Sequence, residues 1–564
     1  MTNYLDFKNA RCKDCYKCLR ECPAKAIKVE NHQARIIESR CILCGKCTLV
    51  CPQNAKSVHS ESDIVGAMLN SGERVVASVA PSFVSSFGLT DFKPMRDALI
   101  ELGFCDAEET SRGAAAVTTE YKKLLEKGTF KNFITSACPS VNRMIQLYYP
   151  EALKYLAPID TPMIAHAKIL KKEHPGCKVV FIGPCIAKKR EAYESGVVDG
   201  VLTFEDVFKI FSDNKIELKD DGSDIGDDIN KAKFYPISRG IIKSFDGFLP
   251  QYEYVAVDGT EKCKEVLAAI ENLSGMFLEL NSCDYACVNG PCSLIKSGAA
   301  VEANAEIRRY AGKGASVLKP VPADIDFSCE YKKTEVSEKV PSEREISEIL
   351  AKTGKLKPED ELNCGACGYA TCREKAWAVA NGFADIEMCV PYMRERAESM
   401  SYEIIQNSPN GIIILDYDYK IVELNQKAKK MLGIDAACPE GMSAFDCFDA
   451  VDFVMAGEQR RNVYSKRSYI NKSKMYVEMS IIFLKAQNVM FAVMKDITEK
   501  KKYEDRLNSV KLETLSTTDE VIKKQMRVAQ EIASLLGETT AETKVALLKL
   551  KKTLQEDGNS EDMK

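Results

Sequence analysis

One cysteine pattern occurs twice between residues 12 and 52, and this doubled pattern constrains the fold more than any other feature of the chain. In each copy, three cysteines are separated by two residues each, and a fourth cysteine follows after three more residues, directly before a proline. Runs of this form bind 4Fe–4S clusters, and the fourth cysteine of each run binds the other cluster. Residues 1–60 are therefore predicted to fold around two iron–sulfur clusters.

The position of each cysteine within the two copies assigns it to a cluster. One cluster is expected at Cys12, Cys15, Cys18 and Cys51, and the other at Cys41, Cys44, Cys47 and Cys22. Closely spaced cysteines also bind zinc, but eight of them in this doubled register resemble the two-cluster ferredoxins. Two neighbouring clusters form an electron path and do not themselves catalyse a reaction.

Length, charge and cysteine content limit the class of protein. A chain of 564 residues is too long for one core, and a net charge of −4 gives no electrostatic case for nucleic-acid binding. The first twelve residues lack an apolar signal-peptide core, and no apolar run is long enough to cross a bilayer. We therefore expect a soluble, cytoplasmic protein without membrane contact.

In a reducing compartment, 23 cysteines at short spacings indicate metal ligands rather than disulfides. Sixteen of them fall in motifs. The other seven are expected to be core thiols: Cys105, Cys177, Cys263, Cys292, Cys329, Cys438 and Cys447.

Three later stretches, 135–140, 183–191 and 279–290, contribute four further thiolates: Cys138, Cys185, Cys283 and Cys287. Soft sulfur ligands suit iron–sulfur clusters. Apolar runs at 74–80 and 178–183 predict buried strands, and they alternate with amphipathic helical stretches such as 118–127, which indicates parallel sheet. Cys138 and Cys185 each follow such a strand. Because sites in parallel sheets gather at the carboxyl ends of strands, we expect these cysteines to share a pocket.

The three stretches resemble the signature motifs of the iron–iron hydrogenases, whose usual forms read TSCCP, PCxxKxxE and ExMACxGGCxxG. The resemblance also covers residues 80–82 and 148–151. It implies an H-cluster, in which the four cysteines hold a 4Fe–4S cluster and Cys287 bridges to a two-iron subsite carrying CO, cyanide and an azadithiolate. Lys188 matches the lysine that binds a cyanide, as suits a point-charge donor. Ser82 matches a position that lines the opposite side of the subsite.

The departures from the family pattern fall together. Ala137 stands where the family has the thiol that receives a proton from the dithiolate amine. The other departures are Ala157 for a serine, Tyr121 and Leu124 for glutamates, and Gly183 and Asn281 for methionines. Alanine and leucine cannot relay protons, and a positioned acid–base group contributes about 10²–10⁴ in rate. The pattern therefore predicts cofactor binding with slow turnover.

After a charged, proline-bearing linker at 331–360 with at most one short helix, four cysteines predict a third 4Fe–4S cluster: Cys364, Cys367, Cys372 and Cys389. Residues 361–396 resemble the small iron–sulfur domain that accompanies some hydrogenases and corrinoid proteins. Zinc is the alternative, because the spacing alone would suit it.

Residues 400–498 resemble a PAS sensor domain. A strand opens near 411, a helix is expected at 424–432, and two later strands lead to an Asp-Ile-Thr exit at 496–498. The tail, 499–564, is predicted to be helical, with a coiled-coil seam at Tyr503, Leu507 and Val510, a second apolar set from Met526 to Leu536, and a turn at 537–541. All four histidines precede residue 175, so the tail cannot be a phospho-accepting histidine kinase module.

The sequence thus predicts a multidomain α/β protein with a ferredoxin domain (1–60), a hydrogenase H-cluster domain (61–330), a linker (331–360), a small iron–sulfur domain (361–396), an α+β PAS domain (400–498) and a helical coiled-coil tail. The leading interpretation is a sensory hydrogenase that forms a homodimer. It resembles the sensory members of the family, which implies a phosphatase or kinase as the signalling partner. One alternative is a catalytic hydrogenase that exchanges electrons with ferredoxin or another carrier. The third is an iron–sulfur assembly scaffold, which would have the cysteines without the two-iron subsite.

Overall fold

The computed structural model describes residues 4–7, 11–219, 230–296, 298–312, 320–336, 338–434, 440–459, 461–485, 488–536 and 540–556. The chain forms two compact units, Met1–Met393 and Arg394–Lys564. Among the described residues, every helix is too short or too polar to cross a membrane.

The N-terminal region repeats one small α/β arrangement. Its elements are β1 (Leu5–Phe7), α1 (Lys17–Arg20), β2 (Ile27–Glu30), β3 (Gln33–Ile36), α2 (Lys46–Leu49) and β4 (Lys56–Val58). β1 pairs antiparallel with β4, and β2 with β3. Each short helix carries the third cysteine of one copy of the pattern and is preceded by a residue with positive φ, Tyr16 or Gly45. The duplication in the sequence is therefore also a duplication in the fold.

The next region alternates strands and helices, as the apolar runs predicted. Its first half contains α3 (Ser62–Asn70), β5 (Val75–Val79), α4 (Phe83–Phe87), α5 (Lys93–Glu101), β6 (Asp106–Glu109), α6 (Ser111–Glu126), β7 (Phe133–Ile134), α7 (Pro139–Tyr148) and α8 (Pro162–Glu173). Its second half contains β8 (Lys178–Gly183), α9 (Ala187–Ser195), β9 (Gly200–Thr203), α10 (Phe204–Asn214), α11 (Gly240–Lys243), β10 (Glu253–Asp258), α12 (Thr260–Ala268), β11 (Met276–Asn281) and α13 (Ala300–Gly312). Short 3-10 helices lie at Pro150–Tyr155, Lys231–Phe234, Ile270–Asn272 and Ala286–Asn289.

These strands form two parallel sheets. One has the order β6-β5-β8-β9, and the other has the order β10-β11-β7. β5 is buried along its whole length, as a central strand of a parallel sheet must be. Between α6 and α8 the backbones approach closely, because a Cβ at Gly113 would lie 2.3 Å from the Pro162 carbonyl oxygen. Glycine at 113 thus lets α8 lie against α6.

Of the seven cysteines outside the motifs, Cys177, Cys263, Cys292 and Cys447 are buried, as predicted. Cys105 is exposed, so its prediction as a core thiol was wrong. It lies just before β6, whose first residue pairs with Val76, and the apolar side chain beside it that turns inward is Phe104. Cys329 is half-buried, and Cys438 lies outside the described residues.

The stretch predicted as a linker lies against the rest of the first unit. It contains α14 (Glu343–Ala351) and a 3-10 helix at Pro358–Asp360, and α15 (Cys372–Ala380) and a 3-10 helix at Ile386–Met388 follow. The Thr334 amide donates to the Gln146 carbonyl oxygen at 3.0 Å, and Arg40 forms an ion pair with Glu338. Ile346 and Leu350 of α14 pack against Ala376 of α15. One α-helix in this stretch agrees with the prediction.

Helix α16 (Val390–Gln406) begins in the first unit and ends in the second. The second unit then contains β12 (Gly411–Asp416), β13 (Ile421–Leu424), α17 (Gln426–Leu432), α18 (Ala444–Cys447), α19 (Val451–Gln459), β14 (Val463–Ile470), β15 (Met475–Leu484) and β16 (Val489–Asp496). The strands form one antiparallel sheet of order β13-β12-β16-β15-β14. Three strands follow α17 where two were predicted, because β14 is a largely exposed edge strand without apolar alternation.

The tail consists of two helices, α20 (Thr498–Leu536) and α21 (Thr540–Glu556). Lys551 Nζ lies 3.6 Å from Asp519 Oδ2, so α21 lies alongside α20. The predicted seam residues Tyr503, Leu507 and Val510 are all exposed in the single chain. The first three residues of the predicted turn, 537–539, lie outside the described residues. The helices are as predicted, and a coiled coil between chains remains a prediction.

Candidate functional site

A cavity of about 90 Å³ lies where the carboxyl ends of β5, β8 and β11 meet the starts of α6, α8 and α9. The three sequence stretches meet at this cavity, since Ala137, Cys185, Lys188, Asn281 and Cys287 all line it together with Ser82. Sequence reasoning did not identify several other lining residues, among them Thr110, Ser111, Pro162, Met163, Phe181 and Tyr235. Their sequence context is that of ordinary helix starts and strand interiors.

Four cysteines are predicted to hold the H-cluster, and we call them the cage: Cys138, Cys185, Cys283 and Cys287. They lie together beside this cavity. Cys283 interacts electrostatically with Cys138, Cys185 and Cys287, and Cys287 interacts with Lys188. Burial raises the pKa of the Cys185 thiol to about 11 and also raises the pKa of Cys138. Cys138, Cys185 and Cys283 are half-buried, and Cys287 is exposed and lines the cavity. Four thiols this close together suit a bound metal cluster, which would deprotonate them.

Lys188 lies in α9 with its ammonium buried at the cavity wall. Its Nζ donates to Thr161 Oγ1 at 2.9 Å and to Glu191 Oε2 at 2.7 Å. Glu191 lies one helical turn further along α9, which explains the spacing of lysine and glutamate in the second motif. The pair holds a positive charge at a fixed position beside Cys185.

The hydroxyl of Ser82 shows whether the cavity wall suits the polar ligands of a two-iron subsite. Its Oγ is buried and lines the cavity, yet it makes no hydrogen bond to any described residue. A buried hydroxyl without a partner is costly. The donor set therefore fits a group with polar ligands: four thiols for iron, one ammonium and one free hydroxyl.

The residues that depart from the family pattern are hydrogen-bonded or closely packed in the structure. Tyr121 is fully buried, and its hydroxyl lies 2.8 Å from Ser136 Oγ and accepts a hydrogen bond from the Ser136 amide. At Gly183 a Cβ would lie 2.8 Å from the ring of Phe181, so this phenylalanine fills space that a side chain at 183 would need. Asn281 Nδ2 donates to Asp258 Oδ1 at 3.0 Å. Ala157 is buried, and Leu124 packs at the edge of the same core.

Glu279 begins the third motif, and its role was not predicted. It is fully buried at the end of β11, and its two carboxylate oxygens accept hydrogen bonds from the amides of Gly240 and Ile242. Burial raises the pKa of this carboxyl group to about 7, although the two amides oppose the shift. The glutamate therefore fixes the start of α11 against β11.

The ferredoxin-type cysteines lie close together in the first unit. Cys22, Cys41, Cys44 and Cys47 line one small cavity. Of the other set, Cys18 and Cys51 lie near the Lys56 ammonium, as Cys47 also does, and Cys15 is exposed. Cys12 and Cys18 pack in one cluster with Cys22 and Cys47. Cys22, the fourth cysteine of the first copy, thus lies beside the first three cysteines of the second copy, and the assignment of ligands to clusters stays a prediction.

The small cavity lined by Cys22, Cys41, Cys44 and Cys47 adjoins the cage cysteines. Cys44 lies close enough to Cys283 to raise its pKa, after burial and the three other cage cysteines. A Cβ at Gly45 would lie 2.4 Å from Pro291, and Arg190 Nη1 donates to the Cys41 carbonyl oxygen at 2.9 Å. The loop that carries Cys44 is thus packed tightly against the cavity region.

Cys364, Cys367, Cys372 and Cys389 line a third cavity together with two buried lysines. Lys355 Nζ lies 3.5 Å from Cys389 Sγ, and Lys375 Nζ donates to the Ile386 carbonyl oxygen. Burial lowers the pKa of Lys375. Two ammonium groups match the negative charge that four thiolates would give an iron–sulfur cluster.

Tyr369, between the second and third cysteines of this set, lies near both Cys367 and Cys22. A Cβ at Gly368 would lie 2.8 Å from Leu19 of α1. The third cavity therefore adjoins the ferredoxin-type region. Across the described residues, no three histidine, cysteine, aspartate or glutamate side chains are grouped as ligands of a single metal ion.

Four regions of the chain match family models. Residues 73–252 match the iron only hydrogenase large subunit, C-terminal domain, and residues 5–65 match the 4Fe-4S dicluster domain. Residues 360–391 match a putative Fe-S cluster model, and residues 399–464 match a PAS domain.

Among proteins of similar sequence, iron hydrogenase 1 of Clostridium pasteurianum is 27% identical over 285 residues, which are 43% of this chain and 48% of the relative. The periplasmic Fe hydrogenase large subunit of Nitratidesulfovibrio vulgaris is 28% identical over 312 residues, 49% of this chain and 73% of the relative. The chain thus spans about half the length of the first relative.

Among solved structures, a variant of the iron–iron hydrogenase of Chlamydomonas reinhardtii is 16% identical and covers 44% of this chain and 88% of its own, with a TM-score of 0.35. The PAS domain of an HTR-like protein from Haloarcula marismortui is 25% identical and covers 19% of this chain and 99% of its own, with a TM-score of 0.15.

Fold and family models together define a multidomain α/β protein that contains iron–sulfur domains, an iron-only hydrogenase domain and a PAS domain. Its first unit carries an iron-only hydrogenase domain behind a 4Fe–4S dicluster domain. Its second unit carries a PAS domain. The predicted hydrogenase resemblance and multidomain α/β class are confirmed.

Proposed function

We propose that the protein is a sensory iron–iron hydrogenase that binds hydrogen and oxidises it slowly. One observation carries the proposal: Cys185, Cys287, Lys188 and the unpartnered Ser82 hydroxyl surround one cavity, and Ala137 lines the same cavity without a titratable group. The elements that would hold the cofactor are present, while the side chain expected to accept its proton is absent.

When bound, the two-iron subsite would supply hydrogen binding and electron acceptance. The chain's own residues would hold it: Cys138, Cys185, Cys283 and Cys287 as iron ligands, Lys188 as the donor to a cyanide, and Ser82 as a hydroxyl donor on the cavity wall. Glu191 and Thr161 keep the Lys188 ammonium in place. Ala137 accepts no proton, which is the reason for the low turnover that we propose.

Electrons released at this site would pass through the cluster sites in order. Cys44 adjoins Cys283 of the cage, and Tyr369 adjoins both Cys22 and Cys367. We place the ferredoxin-type clusters between the cage and the third cluster, with a ferredoxin-like carrier as the exchange partner. Lys355 and Lys375 would balance the negative charge of four thiolates, and the match of residues 360–391 to an Fe-S cluster model supports iron–sulfur rather than zinc at the third site.

The PAS domain and tail would report this redox state. α16 begins directly after the cluster ligand Cys389 and continues into the second unit, so the chain itself connects the third cluster to the sensor domain. Exposed seam residues on α20 favour a homodimer. The output partner, a phosphatase or kinase, is proposed from the sensory members of the family, as is a cytoplasmic location.

Hydrogen uptake and evolution by the matured full-length protein test this function. We expect measurable rates in both directions, far below those of catalytic hydrogenases. Rates equal to those of catalytic enzymes would favour the catalytic alternative. A complete lack of hydrogen chemistry, with iron fully loaded, would favour the assembly scaffold.

A further inference from the structure

A buried polar network leads away from the cavity and includes neither Ala137 nor Ala157. Thr110 lines the cavity, and its Oγ1 lies 2.8 Å from Ser78 Oγ. Ser78 Oγ in turn lies 2.8 Å from His166 Nδ1. Ser78 is the polar residue of a strand, β5, that is otherwise apolar and wholly buried. A hydroxyl in such a strand needs a reason beyond packing.

His166 continues the network on the far side of its ring. The side chain is fully buried in α8, and its Nε2 makes no hydrogen bond among the described residues. The nearest carboxylate oxygen, Glu108 Oε2, lies 3.5 Å away. Glu108 retains 12% side-chain exposure, so the network reaches solvent there.

Burial and the charged groups around His166 together lower the pKa of its ring. Burial lowers its pKa, the Glu108 carboxylate opposes this, and the Arg112 guanidinium lowers it further, with Glu173 as the other charged group nearby. Arg112 forms ion pairs with both Glu108 and Glu173. Because arginine does not release its proton, it holds the carboxylates in place and does not itself carry protons.

We propose that Thr110, Ser78, His166 and Glu108 form a proton path between the cavity and solvent, one that does not pass through position 137. This inference depends on the proposed hydrogen chemistry. In the outward direction, the hydroxyl pair takes a proton from the cavity and passes one to His166 Nδ1. The ring then releases the proton on Nε2 to Glu108. One proton enters and one leaves, and no electrons move. A neutral imidazole with a donor on one side and an acceptor on the other can do this.

The path explains how a chain without the family's relay residues can still exchange protons. It is expected to be slow, because the buried ring and hydroxyls must reorient after each transfer. A network with a purely structural role would need only its hydrogen bonds. A proton path also needs His166 to take up a proton at Nδ1 and to release one from Nε2.

Three variants of the full-length protein test the path. His166→Gln keeps a polar group facing Ser78 and Glu108 but cannot relay a proton, and Thr110→Val cuts the first link without changing shape. The matched control is Thr118→Val, which removes a hydroxyl bonded to the cavity-lining Tyr235 and to Ser244, in a network without imidazole or carboxylate. We expect both path variants to lower hydrogen turnover at least about tenfold, within the roughly 10²–10⁴ of a positioned acid–base group, and the control to match wild type.

Two readouts separate proton transfer from structure. After a pH jump, the CO and cyanide infrared bands should respond more slowly in His166→Gln and Thr110→Val than in wild type and Thr118→Val. In protein labelled with ¹⁵N-histidine, the fully buried member of the four histidines should carry its proton on Nε2.

Equal pH-jump responses in all variants would overturn the path, as would a proton on His166 Nδ1. If His166→Gln does not fold, Thr110→Val decides. Infrared bands in every variant, with unchanged rates, would refute the path alone. Their absence from wild type would instead refute the proposed function.

Discussion

At position 137 the chain places a methyl group against the cavity that Lys188 and Cys185 also line. Tyr121 and Ser136 bond to each other, so the hydroxyl group of Ser136, directly before Ala137 in the chain, is already engaged. A thiol added at 137 would therefore have the cavity on one side and no carboxylate at 121 to receive a proton on the other.

Ala137→Cys should consequently raise turnover only slightly, well below the roughly 10²–10⁴ of a complete acid–base relay. Adding serine at Ala157 and glutamates at Tyr121 and Leu124 should raise it by more than the sum of the single effects in free energy, since a relay acts as a unit. The combination should also be less stable than wild type, because Tyr121 is fully buried and a glutamate there would bury a charge. The measurements are hydrogen uptake and thermal unfolding. A gain of several hundredfold from Ala137→Cys alone would contradict this explanation.

Cys185→Ala should remove the CO and cyanide infrared bands and leave the ferredoxin-type clusters intact, because the cage loses one of four ligands. Cys177→Ala is the control, because Cys177 is a thiol of the same unit that lies outside the motifs, is buried, and donates to the Leu170 carbonyl oxygen. The control should keep all bands. Bands that survive in Cys185→Ala would show that Cys185 is not a ligand.

At the residue scale, the sequence identified side chains whose chemistry is unusual for their context. Cysteines at short spacings and the lysine of the second motif were found because thiolate and ammonium groups at those spacings serve metal clusters. Ser78, Thr110 and His166 were missed, since the network that joins them needs two strands and a helix to come together. The only sequence signal was a serine within the apolar run at 75–79.

At the scale of elements, the packing of one loop decides how closely two cluster sites approach. Gly45 starts α2 with a φ of +73°, and Pro291 fills the space that a Cβ would need. Glycine is required here both by conformation and by the close approach.

Gly45→Ala should destabilise the first unit. It should also slow electron transfer from the ferredoxin-type clusters to the cluster that the cage cysteines would hold. Gly72→Ala is the matched control, because Gly72 also has a positive φ, of +80°, but open space at its Cβ. Both variants carry the strain of a positive φ, and only Gly45→Ala adds overpacking, worth about 1–3 kcal/mol. Thermal unfolding and reduction kinetics measure the two effects. Equal unfolding temperatures for the two variants would mean that the loop adapts without cost.

The elements themselves were predictable where apolar periodicity was strong. The buried runs at β5 and β8 and the helix at α6 appeared as expected. The edge strand β14 did not, because its exposed, charged residues hide the alternation that marks a strand. The pairing of strands into two separate parallel sheets also depends on long-range contacts that no local pattern contains.

At the scale of the whole molecule, the tail is the part for which we propose a partner chain. Tyr503, Leu507 and Val510 are exposed on α20, and a long helix with exposed apolar side chains gains stability by packing against another helix.

Deleting residues 499–564 should leave hydrogen oxidation unchanged while abolishing dimer formation and partner coupling. A milder test is Leu507→Glu with Val510→Glu, compared with the control Asn508→Glu, which adds charge at an exposed position outside the seam. Sedimentation should show monomers for the seam variant and dimers for the control. A truncated protein that still dimerises fully would assign the interface to another part of the chain.

The most direct test of the central claim is infrared spectroscopy of the matured full-length protein titrated with hydrogen. The claim is that the cage for the cofactor is retained while the proton relay through position 137 is lost. The predicted result is a set of CO and cyanide bands that shift reversibly with hydrogen pressure, although turnover measured on the same sample is slow. The contradicting result is a sample fully loaded with iron that shows no such bands, or bands that do not respond to hydrogen.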